Sequence, residues 1–203
     1  MYYLLEWLNG LLVVENINAI VKSLKRRIFR FNFLEMRADL NAEEISSQIW
    51  DDMDIRGYSE CFEKNCISLL NSVGSLGLWN RARFQNDILS SVEDTKNDIF
   101  VVCRADFTIG IAVIHKKSLS NNLNEIGYVA VRPEYRGERI GYKLLMYVLT
   151  EMKRRNINQT YLRTDSFRIP AIKTYLKCGF YPYIKNENEK KRWQNVMNKI
   201  KNI

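Results

Sequence analysis

The chain holds one histidine, His115, and its four cysteines (Cys61, Cys66, Cys103 and Cys178) form no C-x-x-C pair. With so few soft ligands a metal cage is not expected. No nucleophile, histidine and acid constellation is visible either, which argues against a covalent triad mechanism. Cys103 lies in a strand pattern and Cys178 abuts a helix end, so the thiols read as reduced, in a cytoplasmic protein. Internal repeats, low-complexity segments and the aromatic-basic signatures of nucleic-acid modules are all absent, and no nucleic-acid partner is expected. A membrane span is not expected. The apolar opening "MYYLLEWLNGLLVVENINAIV" is interrupted by Glu6, Asn9 and Glu15, with no basic segment before it and no small-residue cleavage site after it. It reads as a helix that packs on the domain or on a second subunit, making a homodimer one expectation. The basic "KSLKRRIFR" that follows has a membrane surface as its alternative partner.

What is present points to one sizeable α/β domain. The chain has 203 residues, 46% of them hydrophobic, enough for a real core. A net charge of +8 favours polyanions, but nucleic acid, acidic membrane and a phosphorylated cofactor all fit it. "RIFRFNFLEMRADL" alternates as a first strand, and "NAEEISSQIWDDMD" follows as a helix capped by Asn41. Helical patterns run from Glu60 to Asn71 and through "LWNRARFQNDILSSV". The strands "DIFVVCR", "TIGIAVIH" and "EIGYVAV" come next, the first two joined by a tight turn. Leu144, Leu145, Val148, Leu149 and Met152 share one face of the next helix. "QTYLRTDSF" is a strand, Pro170 opens a short helix that Gly179 closes, and "FYPYI" is the last strand. In the tail, acids precede lysines, as the helix dipole favours. That order predicts a mixed sheet with helices on both faces.

Between a strand and a helix lies "VRPEYRGERIGYKLL". A glycine-bearing loop there gathers amide N–H groups at a helix start, where an anion is favoured. An ordinary strand-to-helix turn with solvated charges also fits the loop taken alone.

"VAVRPEYRGERIGYKLL" followed by "YLRTDSFRIPAIKTYLKCGFYP" resembles the GNAT (GCN5-related) N-acetyltransferase superfamily. The resemblance is specific from Asp98 to Tyr183 and only architectural before that. Trp79 to Leu89, with "TDSFRIPAIKTYLKCGF", is similar to the mycothiol-synthase-like branch, whose members have two such domains. The resemblance implies a GNAT fold with a splayed pair of parallel strands at the cofactor cleft. It also implies that acetyl-CoA is the co-substrate, its pyrophosphate held by the loop Arg136, Gly137, Glu138, Arg139, Ile140, Gly141 and Tyr142. Arg139 replaces the middle glycine of the family pattern. The pantetheine arm would lie along Val129, Ala130 and Val131, with the Val129 amide facing the thioester oxygen.

Two catalytic residues follow from the same resemblance. Tyr175 stands where the family places a tyrosine near the CoA sulfur, to protonate the leaving thiolate; a core tyrosine is the alternative. Glu125 stands where the histone-acetyltransferase branch has a general base, with a solvated strand-end acid as the alternative. Arg168 replaces an asparagine common among relatives. Asp51, Asp52 and Asp54 follow the first helix and would hold a cationic amine, unless they form a solvated face. His115, beside Lys116 and Lys117, reads as a surface residue. The expected domains are an N-terminal extension (1–26), the acetyltransferase domain (27–185) and a C-terminal basic helix (186–203). The expected activity is acetyl transfer to an amine acceptor, small molecule or peptide, by direct attack. The alternatives are an acyl-CoA-binding sensor without turnover and a basic nucleic-acid-binding protein.

Overall fold

The computed structural model describes residues 33–41 and 53–202. The expected N-terminal helix, the first six residues of the expected first strand, and most of the helix expected after Asn41 lie outside them. Strand β1 (Phe33–Asp39) sends Leu34, Met36 and Ala38 inward, as a period of two dictates. Strands β3 (Ile99–Arg104) and β4 (Phe107–His115) are buried along nearly their whole length because both faces are covered. Ala105 and Asp106, both at positive φ, make the tight turn between them.

One segment corrects the sequence expectation. Asp54–Gly57, expected to begin where a helix ends, is a short edge strand, β2, paired antiparallel with β3. Its single apolar side chain, Ile55, packs at the edge of the core, too little for a period-two signal. The other strands are β5 (Asn124–Val131), β6 (Gln159–Asp165) and β7 (Tyr181–Tyr183). The sheet order is β2-β3-β4-β5-β6-β1-β7. Every neighbouring pair is antiparallel except β5 with β6.

Helices cover both faces. The described ones are α1 (Glu63–Ser72), α2 (Arg81–Asp87), the single turn α3 (Thr95–Asp98), α4 (Ile140–Arg154), α5 (Ile169–Lys177) and α6 (Glu187–Lys201). Strand β3 shows the division residue by residue. Phe100 and Val102 join one apolar cluster with α4, α5 and α6, while Ile99, Val101 and Cys103 join another with α1 and α2. Helix α4 buries Leu144, Leu145, Val148, Leu149 and Met152, the expected stripe. Burying each of these large side chains contributes roughly 1.5–3 kcal/mol. Helix α6 is capped by the Asn186 side chain, which accepts from the Glu189 amide, and it buries Trp193 and Val196.

Candidate active site

Strands β5 and β6 start side by side and then part. Asn124 pairs with Thr160 and Glu125 with Tyr161, and the ladder stops there although both strands continue. On the other side of β5, Gly127 pairs with Val113 and Ala130 with Ile111. Tyr128 and Val129 therefore stand opposite the single residue Ala112, which is a β-bulge. Tyr128 sits at φ +50°, a conformation that costs an L-residue energy and recurs at functional sites. The splay opens a cleft of about 1470 Å³, lined by Gly127, Tyr128, Val129, Thr164 and Tyr175 among others.

Beyond the cleft, β5 runs into the glycine-bearing loop. Buried Arg132 fixes the exit, its Nε donating to the Thr108 carbonyl at 2.9 Å and its Nη2 to Ser68 Oγ at 3.1 Å. Gly137 takes φ +93°, and a Cβ there would meet nothing within 4 Å, so the loop is open on that side. Glu138 is tied to the end of β3 by a 2.7 Å ion pair with Arg104. Arg139 adopts the left-handed conformation at φ +60° and precedes α4 without capping it. That conformation explains why a glycine suits the position and what arginine gives up there, about 1–2 kcal/mol. No side chain caps the start of α4 among the described residues. Val131 packs under Gly141, 3.6 Å from where a Cβ would sit. Residues 136–142 do not line the cleft cavity itself; they lie past its edge, at the end of β5. Val129 lines the cavity, while Ala130 is buried and Val131 half-buried, so these residues pack through their side chains.

Tyr175 faces the cleft from α5 at 7% exposure, against Phe180. Its hydroxyl makes no hydrogen bond among the described residues. Burial pushes its pKa up to about 12, with Arg168 opposing and Cys178 assisting, so the phenol holds its proton at neutral pH. Glu125 lies at the fork of β5 and β6. Both of its oxygens are engaged: Arg163 donates from Nε at 2.9 Å and from Nη2 at 2.8 Å, and Tyr161 donates its hydroxyl at 3.1 Å. Arg168 reaches across the cleft to the Ser75 carbonyl at 2.9 Å and pairs with Asp165. Asp54 is not brought to the cleft. It pairs with Arg56 on the sheet edge, beside a small cavity shared with Glu138 and Lys143. Asp51 and Asp52 lie outside the described residues. Among the described residues no group of three or more His, Cys, Asp or Glu is placed to hold a metal ion.

The opposite wall carries a correction. His115, expected at the surface, is half-buried in the cleft, with its Nδ1 2.6 Å from Ser91 Oγ and its ring edge-on to Tyr128 at 5.5 Å. Trp79 packs edge-on against the other side of Tyr128 at 5.1 Å. The Asn71 side chain holds both the N–H and the carbonyl of Trp79, which pins the α1–α2 loop in place. Arg83 stacks 4.0 Å over the indole.

A family model for the acetyltransferase (GNAT) family matches residues 58–180, more than half of the sequence. The chain belongs to that family. Solved structures share the GNAT fold at low identity. A GCN5-related N-acetyltransferase from Sphaerobacter thermophilus superimposes with a TM-score of 0.61 at 18% identity, covering 80% of this chain and 53% of its own. A GNAT acetyltransferase from Staphylococcus aureus gives 0.54 at 20%, covering 66% and 88%. The ribosomal-protein-S18-alanine N-acetyltransferase of Escherichia coli gives 0.55 at 16%, covering 65% and 79%. The chain thus spans about half the length of the Sphaerobacter protein. No curated protein sequence matches it.

Within this GNAT domain, the side chains that line the far wall escaped the sequence reading. His115 and Tyr128 come together because Glu125 opposes His115 across the β4–β5 pair. The signal was the length of the two apolar runs, whose ends face each other once they are paired as a hairpin. The Arg163 partnership of Glu125 had no such signal, because β6 is reached only through α4.

Proposed function

We propose that the chain transfers the acetyl group of acetyl-CoA to an amine by direct attack, with no acyl-enzyme step. The observation that carries this reading is the forked β5–β6 pair, whose bulge at Tyr128 and Val129 lines the same cleft as Tyr175, a residue whose hydroxyl makes no hydrogen bond among the described residues. The residues present fit acetyl-CoA. The amides of Gly137 to Tyr142 at the uncapped start of α4 would hold its pyrophosphate, and the free edge of β5 through Val129 to Val131 would take the pantetheine arm as an added strand. Bound there, acetyl-CoA supplies an activated acyl carbon and a thiolate leaving group.

The chain's own residues would then do three things. The Val129 amide at the bulge donates to the acyl oxygen as it gains charge. Tyr175, kept protonated by burial, gives its proton to the departing sulfur. The cleft walls hold the acceptor nitrogen in line, and positioning of this kind supplies much of the rate. Glu125 stands at the fork with both oxygens held by Arg163 and Tyr161, so it fixes the point where the strands part. The acceptor is an amine that enters through the same cleft. Within the family, the Trp79 to Leu89 segment favours the mycothiol-synthase-like branch.

Calorimetry with acetyl-CoA, followed by a free-thiol assay across spermidine, an aminoglycoside and a peptide with a free N-terminus, tests the proposal. Binding at one site with thiol release on at least one amine is the expected result. Binding without release on any amine would return the acyl-CoA sensor, and no binding would remove both readings.

A further inference from the structure

The only histidine of the chain ends β4 where β5 is about to leave β6. Its side chain is held in one orientation by a specific contact. Ser91 Oγ lies 2.6 Å from His115 Nδ1, and the same hydroxyl donates to the Ile88 carbonyl at 2.7 Å. A hydroxyl has one proton to give. With that proton on the Ile88 carbonyl, Oγ receives the hydrogen bond from Nδ1–H, and the lone pair of the neutral ring resides on Nε2. Nε2 in turn occupies the space beside Gly127, where a Cβ would come within 2.3 Å of it. Gly127 and His115 both line the cleft, and the bulge begins at the next residue, Tyr128.

Glu125, the carboxylate nearest this point on β5, already accepts three hydrogen bonds, two from Arg163 and one from Tyr161. Turning one of its oxygens toward an acceptor would break part of the bidentate pair with Arg163. We propose that His115 Nε2 is the base that takes the proton from the amine acceptor. The inference rests on the acetyl-transfer reading above and adds the residue that completes it.

The step balances. The amine arrives as its free base, its nitrogen bonds to the acyl carbon, and the carbon–sulfur bond breaks. The surplus proton on nitrogen passes to His115 Nε2, and the sulfur takes the proton of Tyr175. The imidazolium then loses one proton to water while Tyr175 regains one. The surroundings suit the role. Burial lowers the His115 pKa from 6.5, outweighing Glu125 of β5, which raises it, and Arg163 of β6 works with burial. Tyr128 of β5 faces the ring edge-on and is itself held protonated, its pKa pushed up to about 12 by burial. The neighbouring Lys116 directs its ammonium away, to the Ser90 carbonyl at 3.1 Å. The imidazole is therefore neutral at pH 7, and no hydrogen bond among the described residues takes up its Nε2 lone pair.

Having one histidine makes the test clean. Nitrogen-15 NMR of the imidazole should show the Nδ1–H tautomer, titrating below 6.5, in both the free protein and its acetyl-CoA complex. An Nε2–H tautomer, or a protonated ring at pH 7 in the complex, overturns the proposal whether or not an acceptor is known. With a probe amine that supports thiol release, such as spermidine, His115→Gln should lower kcat/KM by about 10²- to 10⁴-fold and abolish its acid limb. Acetyl-CoA affinity by calorimetry should hold within about twofold. Glu125→Gln should keep the acid limb, and transfer of the limb's loss from His115→Gln to Glu125→Gln would overturn the assignment. Should His115→Gln fold poorly, Ser91→Ala keeps the ring but removes its acceptor. It should raise the Nε2–H population and lower kcat/KM, and an unchanged tautomer with an unchanged rate would count against the role. Wild-type protein that binds no acetyl-CoA would instead overturn the acetyl-transfer reading, and this inference with it.

Discussion

The two walls of the cleft are built from different materials. One wall is the bulge of β5, and past its edge residues 136–142 and the start of α4 continue in the same material, backbone: a positive-φ glycine and a helix opening with no side-chain cap. The other, where the end of β4 meets the turn at residues 89–91 and the α1–α2 loop, offers side chains that hold one another: His115 to Ser91, Tyr128 between His115 and Trp79, and Trp79 to Asn71. A backbone wall tolerates substitutions that keep its dihedral angles. A wall of interlocked side chains is sensitive to single atoms, because one displaced ring unseats its neighbours. Tyr175 lines the same cleft, placed by α5, and the proposed chemistry passes through its one oxygen.

The largest effect should come from that oxygen. Tyr175→Phe keeps the ring that packs on Phe180 and should lower kcat by roughly 10² to 10⁴, with acetyl-CoA affinity little changed. An acetyl donor with a more acidic thiol should restore part of the rate, and turnover within about twofold of wild type would end the assignment. The same substitution has a sign in alkali. The folded pKa of Tyr175 is raised from 10 to about 12, so the stability it contributes is complete below pH 10 and lost as the pH rises towards 12. Tyr175→Phe should remove that part of the loss in melting temperature.

Next is the side-chain wall. Gly127→Ala places a methyl 2.3 Å from His115 Nε2, and the ring, anchored through Nδ1, has to give way. Turnover should fall by about 10², the scale expected of a misplacement near 1 Å, while cofactor affinity holds. A shifted His115 resonance should accompany it; an unmoved resonance with full activity would show that the wall is softer than described.

The backbone wall should respond differently. At Gly141 a Cβ meets Val131 at an ordinary 3.6 Å, so Gly141→Ala should be mild. Gly141→Glu adds a negative charge at the proposed pyrophosphate site and should weaken acetyl-CoA binding at least tenfold, about 1.4 kcal/mol, with native circular dichroism. Unchanged affinity would place the cofactor elsewhere.

The smallest effect tests the one departure from the family loop. Arg139→Gly relieves the left-handed strain but adds chain entropy to the unfolded state, so thermal unfolding should show a net gain of no more than about 1 kcal/mol. A clear destabilisation would mean that the arginine side chain makes a stabilising contact of its own.

The sequence by itself determined most of the elements and marked out the glycine-bearing loop. Alternation placed β1, short apolar runs placed β3, β4, β5 and β6, and the stripe from Leu144 to Met152 placed α4. The loop from Arg136 to Gly141 was legible because the amides proposed to hold the pyrophosphate are consecutive. Each of these is a pattern between residues a few positions apart, and such patterns are written directly in the chain. The tertiary structure decided the rest. His115 meets Ser91 from 24 positions away, Glu125 meets Arg163 from 38, and Arg168 meets Ser75 from 93. The sheet order set those meetings, and the bulge at Tyr128 and Val129 set the face they share. Local periodicity records which face a residue occupies and not which strand lies next to it. That is why His115 read as a surface residue and Asp54 as part of an acceptor site, until pairing drew the histidine into the cleft and left the aspartate on the edge of the sheet.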